Sequence, residues 1–245
     1  MVRPPRRERL ALLSLLPNMV TILGLCAGLT AIRFVLAGRF DLAAALIVFA
    51  AVIDGLDGLL ARKLNAASEI GGELDSLSDF VNFGVAPGII VFQFALRQDF
   101  ATGWVFVLIY SACTCLRLAR FNVTKDDPPP AGRPHFIGVP APGGAMLALF
   151  PLFLHLEGLV DARALPEFYG LYLAGVGVLM VSRVPTLSSK AVRVRREWAV
   201  GVLIGGVVVA GLVVTRPWMM LVILTAAYWA ATVWALLRYV QRRAS

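Results

Sequence analysis

Four aspartates crowd into the stretch VIDGLDGLLARKLNAASEIGGELDSLSDFVNFG over residues 52–84: Asp54, Asp57, Asp75 and Asp79. On a helix, Asp54, Asp57, Gly58, Ala61 and Arg62 share one face, because residues three and four apart are neighbours on the helical repeat. Asp75 and Asp79 stand one turn apart on a second helix, and Gly71 lies one turn before Asp75 on nearly the same stripe. Small residues on both faces let the two helices approach closely and bring the four carboxylates together. Carboxylates so gathered repel one another and are costly to bury near a membrane, so the cluster asks for divalent cations. Oxygen-only ligands favour hard ions such as Mg²⁺, Mn²⁺ or Ca²⁺ over zinc, and Mg²⁺ keeps open positions that suit a substrate phosphate. Arg62, beside the cluster, would pair with that phosphate.

The elements that must hold this cluster are membrane helices. The chain has 245 residues and 26.4 kDa, with 59% hydrophobic residues, 16% charged residues and a mean hydropathy of +0.79. An average soluble domain is roughly 45–50% apolar and about 25% charged, so no single water-soluble core hides this much apolar surface. A soluble enzyme, a secreted disulfide scaffold and a disordered tail are all excluded. Cys26, Cys113 and Cys115 fall in apolar runs without metal-type spacing and read as packing residues.

Apolar windows of membrane length predict eight spans, centred on residues 19–36, 42–60, 80–96, 104–118, 139–156, 168–181, 198–214 and 218–237. The expectation is an all-α integral membrane protein, one domain over residues 1–245, with the first span uncleaved. The longest connection, residues 122–135, carries Asp126, Asp127 and three consecutive prolines. A cytosolic N-terminus would place 18 of the 23 Lys and Arg residues on the inner side, leaving Arg33, Arg39, Arg97, Arg163 and Arg216 outside. That asymmetry puts both termini in the cytosol and accounts for the net charge of +8 without nucleic acid. The basic inner rim would also attract anionic lipid headgroups. Gly24 with Gly28, and Gly201 with Gly205, mark close helix packing. His135 and His155 lack matching ligands in sequence, and Trp104, Trp198 and Trp218 fit an interfacial aromatic belt.

Chemistry alone leaves a divalent-ion transporter open beside an enzyme, since intramembrane carboxylates also line ion paths. The order Asp54, Asp57, Gly58, Ala61, Arg62, Gly71, Asp75, Asp79 resembles, without a departure, the motif of the CDP-alcohol phosphotransferases, membrane enzymes that displace CMP from a CDP-linked donor with an alcohol. Residues 17–21 (PNMVT), 116–122 (LRLARFN), 136–142 (FIGVPAP) and 181–186 (VSRVPT) resemble the branch that transfers a phosphatidyl group from CDP-diacylglycerol to L-serine. This likeness covers a core of residues 17–190, followed by two further helices over 197–240.

The resemblance implies that Asp54, Asp57, Asp75 and Asp79 hold divalent cations, Mg²⁺ or Mn²⁺ and two in number, with Asp79 also the general base. It further implies that Gly58, Arg62 and Ser68 contact the CDP-diacylglycerol donor, with Asn18 and Thr21 beside them. Asn82, Arg117, Arg120 and Asn122 are candidates for the serine pocket, with Arg183 and Lys190 behind them. Another acceptor, glycerol 3-phosphate or an inositol phosphate, stays open at this point. A homodimer in a prokaryotic plasma membrane, with the active site facing the cytoplasm, completes the expectation.

Overall fold

The computed structural model describes residues 16–64, 68–98, 100–124, 136–182, 185–186 and 211–244. Helix α1 (Leu16–Leu36) starts with Pro17 in its first turn, where the missing N–H costs nothing. It turns at Gly38, with φ +74°, into α2 (Phe40–Leu64). The third rod runs without a break through α3 (Glu69–Asp79), a π-helical segment (Phe80–Val85), α4 (Ala86–Val91) and a second π segment (Phe92–Leu96). Then follow α5 (Phe100–Thr124), α6 (Ala141–Leu156), a 3₁₀ turn (Ala162–Ala164), α7 (Pro166–Val181) and α8 (Pro217–Ala244). Two-residue strands, β1 (Phe136–Ile137) and β2 (Pro185–Thr186), pair antiparallel and tie the approach to α6 to the exit from α7.

Among the described residues five helical rods are long and apolar enough to cross a membrane: 16–36, 40–64, 70–96, 100–124 and 217–238. Helices α6 and α7 are shorter apolar helices. Most of the expected span at 198–214 lies outside the described residues. The third rod begins near residue 69, well before the apolar window at 80–96, because Ser68 caps it: its hydroxyl accepts the Gly71 N–H at 3.0 Å. The aspartates of that rod therefore stand on a helix, as their spacing implies, and that helix is continuous with the span.

The core lies where the third rod, α6 and α7 meet, around Phe83, Ile90, Leu147, Leu149, Leu152, Phe153, Leu173 and Met180. Met19, Ile22, Leu23 and Leu29 on α1, and Val105, Leu108 and Ile109 on α5, are exposed apolar side chains of the kind a lipid solvent accepts.

Two prolines interrupt these helices, and a buried tyrosine answers each interruption. Pro87 has no N–H for the carbonyl of Phe83, and the Tyr110 hydroxyl donates to that carbonyl at 2.6 Å. Pro151 likewise frees the carbonyl of Leu147, which accepts the Tyr172 hydroxyl at 2.7 Å; the Tyr169 hydroxyl reaches the neighbouring Ala148 carbonyl at 3.2 Å. The Trp229 indole N–H donates to the Tyr172 oxygen at 2.8 Å, so the network extends from α6 through α7 to α8. In hydrocarbon an unpaired backbone group costs several kcal/mol, so this pairing lets proline occur within membrane helices.

Candidate active site

Helices α1, α2 and α3 build the acidic cluster together. Asp54, Asp57 and Asp75 each offer one carboxylate oxygen, and these oxygens lie within 4.8 Å of one another. Asp79, one turn beyond Asp75, sets its carboxyl against that of Asp54 at hydrogen-bonding distance. Asp57 is the most buried of the four, at 5% exposure, and is fixed from α1: Thr21 Oγ1 lies 2.8 Å from its Oδ2. The same hydroxyl is 3.0 Å from the Pro17 carbonyl, so Thr21 shares its one proton between the two acceptors. This all-oxygen donor set fits a hard divalent cation.

Asn18 sits one turn before Thr21 and lies against Gly71. A Cβ at position 71 would come within 2.8 Å of Asn18 Oδ1 and 3.0 Å of Ser68 Oγ, so only glycine lets these two polar side chains close over the start of α3. Gly58 differs: a Cβ there would meet nothing within 4 Å, so the α2 backbone beside the acids faces open space. Arg62 is exposed, one turn beyond Gly58. The donor-side candidates Asn18, Thr21, Gly58, Arg62 and Ser68 thus stand on α1, α2 and the α3 cap, and of them Thr21 touches an acid directly.

The four serine-side candidates do not gather in one place. Arg117, on α5, faces Asp79 and Asp54 within electrostatic reach, and its Nε donates to the Val139 carbonyl at 2.6 Å. Asn122 is held to Ser76 of α3, its Nδ2 donating to Ser76 Oγ at 2.9 Å. Arg120 reaches away, donating to the Val181 carbonyl at the end of α7 at 2.8 Å. Asn82 is 2% exposed, donates to Ser78 Oγ at 3.2 Å and presses on Gly28 of α1. Arg183, Lys190 and His135 lie outside the described residues.

Sequence reasoning passed over Tyr228. Among the described residues its buried hydroxyl closes no hydrogen bond, and it lies within electrostatic reach of Arg117. A tyrosine in an apolar span looks like an interfacial anchor, and no spacing ties residue 228 to residue 117 or 79.

Residues 14–180 match the family model described as CDP-alcohol phosphatidyltransferase. Among curated proteins, the CDP-diacylglycerol–serine O-phosphatidyltransferase of Mycobacterium tuberculosis H37Rv is 38% identical over 230 residues, covering 93% of this chain and 80% of that protein. Proteins of the same name from Helicobacter pylori J99 and Bacillus subtilis 168 are 32% and 35% identical, covering 84% and 69% of this chain and 84% and 88% of their own lengths. With its acidic motif assembled on adjacent helices and more than half of its length matched, the chain belongs to the CDP-alcohol phosphatidyltransferase family.

Proposed function

We propose that this membrane transferase moves the phosphatidyl group of CDP-diacylglycerol to the hydroxyl of L-serine, forming phosphatidylserine and releasing CMP. The observation that carries the reading is the convergence of Asp54, Asp57 and Asp75 with Asp79 against them, in a chain similar over most of its length to enzymes named for that reaction.

Asp54, Asp57, Asp75 and Asp79 would hold two divalent cations, Mg²⁺ or Mn²⁺. When bound, these supply the positive charge that neutralises a diphosphate and its developing leaving group. Thr21 fixes the orientation of the Asp57 carboxylate from the neighbouring helix. Gly58 leaves space for a nucleotide to lie along α2, with Arg62, Ser68 and Asn18 around it to bind phosphate and polar groups. Asp79 takes the proton of the serine hydroxyl as its oxygen forms a bond to the phosphorus carrying diacylglycerol, while the bond from that phosphorus to the CMP oxygen breaks. An aspartate is a weak base for an alcohol, so proton removal accompanies bond formation and does not precede it. On the acceptor side Arg117 is the cationic candidate within electrostatic reach of Asp79 and Asp54.

The core over residues 17–190 carries this chemistry, and the reading includes a homodimer with the site facing the cytoplasm of a prokaryote. The test is CMP release by purified protein given CDP-diacylglycerol, Mg²⁺ or Mn²⁺, and either L-serine, glycerol 3-phosphate or an inositol phosphate. Release that depends on serine and disappears in Asp79→Asn is expected. Release with another acceptor alone would overturn the serine assignment.

A further inference from the structure

We infer that Tyr228, on the last helix and beyond the residues matched by the family model, forms with Arg117 the subsite for the acceptor's carboxylate. The inference rests on the serine reading above.

The phenol oxygen of Tyr228 is buried, and among the described residues no donor or acceptor closes a hydrogen bond to it. Thr232, one turn further along α8, donates its hydroxyl proton to the Tyr228 carbonyl at 2.8 Å, so toward the phenol it offers lone pairs alone and no donor. Burial of a hydroxyl whose hydrogen bond is not closed is unfavourable, which makes it a group that a ligand atom can satisfy. It lies near the Arg117 guanidinium, and Arg117 faces Asp79 and Asp54. Among the described residues Arg117 spends only its Nε, on the Val139 carbonyl. Its terminal nitrogens carry the paired donors that match a carboxylate.

The fold makes room for the phenol. Gly143, in the first turn of α6, meets the Tyr228 ring: a Cβ there would stand 3.0 Å from the hydroxyl oxygen and 3.2 Å from Cζ. The Val139 carbonyl that holds Arg117 lies four residues before Gly143, so one short segment positions both donors. Arginine on α5 and phenol on α8 thus present N–H and O–H groups from helices other than α1 and α2, which carry most of the donor candidates. An amino acid seated with its carboxylate on Arg117 and Tyr228 turns its ammonium and hydroxyl toward the acids. Its hydroxyl is three bonds from the carboxylate carbon, a reach suited to a base adjacent to the arginine.

The experiment is steady-state kinetics of CMP release by the purified full-length enzyme, varying L-serine and CDP-diacylglycerol separately, for wild type, Tyr228→Phe and Gly143→Ala. Serinol, which replaces the carboxylate with a hydroxymethyl group, is run as a second acceptor. The expected result is a serine KM raised about tenfold or more in Tyr228→Phe, as for a lost hydrogen bond to a charged group, with kcat and the CDP-diacylglycerol KM little changed. The preference for serine over serinol should fall by the same factor. Gly143→Ala, whose methyl displaces the phenol, should give the same pattern, so the inference does not hang on one variant. An unchanged serine KM in both variants overturns it. So does a parallel loss of kcat and of affinity for both substrates, the mark of a merely structural residue. Wild-type enzyme whose CMP release ignores serine defeats the serine reading itself and removes the subsite with it.

Discussion

The Tyr110 hydroxyl lies 2.6 Å from the Phe83 carbonyl, in the π turn just before Pro87. Tyr110 is fully buried, and its neighbour Ser111 makes a parallel bond to the Gly84 carbonyl at 3.0 Å. These contacts fasten α5 to the π-helical segment that directly follows Asp79. Where hydrogen bonds in this rod widen from one α turn to a π turn, the faces presented before and after the change are offset, as is common beside functional sites.

Tyr110→Phe removes one oxygen and with it the side-chain donor to the Phe83 carbonyl in an apolar core. The expected cost is about 1–3 kcal/mol of stability, and Tyr172→Phe at the Leu147 carbonyl should cost a similar amount. Unfolding in detergent, followed by circular dichroism, measures both. A Tyr110→Phe protein as stable as wild type would show that Pro87 needs no such compensation.

Thr21→Val keeps the shape of the side chain and removes the hydrogen bond to Asp57. Loss of an outer partner of a ligating group typically weakens metal affinity about 10–100-fold. Titrating the activity with Mn²⁺ should therefore show a higher half-saturating concentration and near-normal turnover at saturation.

Removing divalent cations with a chelator should abolish CMP release, and adding back Mg²⁺ or Mn²⁺ should restore it. Asp75→Asn should resist restoration, because an amide offers oxygen without charge. Full activity in excess chelator would sink the cation proposal.

Gly28 and Gly58 should respond oppositely to alanine. At Gly28 the new methyl would collide with the Asn82 side chain, at an expected cost of about 1–3 kcal/mol. At Gly58 it meets nothing, so stability should hold while the KM for CDP-diacylglycerol rises, if the nucleotide lies along that backbone. Thermal midpoints and donor kinetics on the two variants separate packing from binding.

Arg117→Ala and Arg120→Ala should also part company. Arg120 reaches the last carbonyl of α7 at Val181, so its loss should lower the unfolding temperature and leave the serine KM within about twofold. Loss of Arg117, which faces Asp79, should raise the serine KM far more.

The acid cluster was legible from sequence because aspartates three and four residues apart must share a helix face, whatever the rest of the fold does. The close approach of α1 was legible too, from Gly24 and Gly28, and the structure seats Ile53 and Asn82 against them. The helix carrying Gly71, Asp75 and Asp79 was legible from the same spacing, but its union with the apolar window at 80–96 into one rod was not, because residues 69–79 are too polar to enter such a window. Nor was the serine side. Arg117, Arg120, Asn122 and Asn82 look equivalent along the chain, but one turn of α5 sends Arg117 toward the acids and Arg120 toward α7. Tyr228 lies more than a hundred residues from Arg117, and only tertiary packing brings the two together.

The bond from Trp229 to Tyr172 has a mechanical meaning for the last helix. Leucine against lipid is as comfortable as leucine against leucine, so apolar packing scarcely fixes how a peripheral membrane helix is rotated about its own axis. A single directional indole N–H does fix it, since it meets the Tyr172 oxygen at one azimuth only. Tyr228 is the preceding residue, and that rotational phase is what aims its ring at Gly143. A bond on the α7 side of α8 thereby sets the bearing of a side chain on the α6 side, as a compass needle is read at the end opposite its pivot mark.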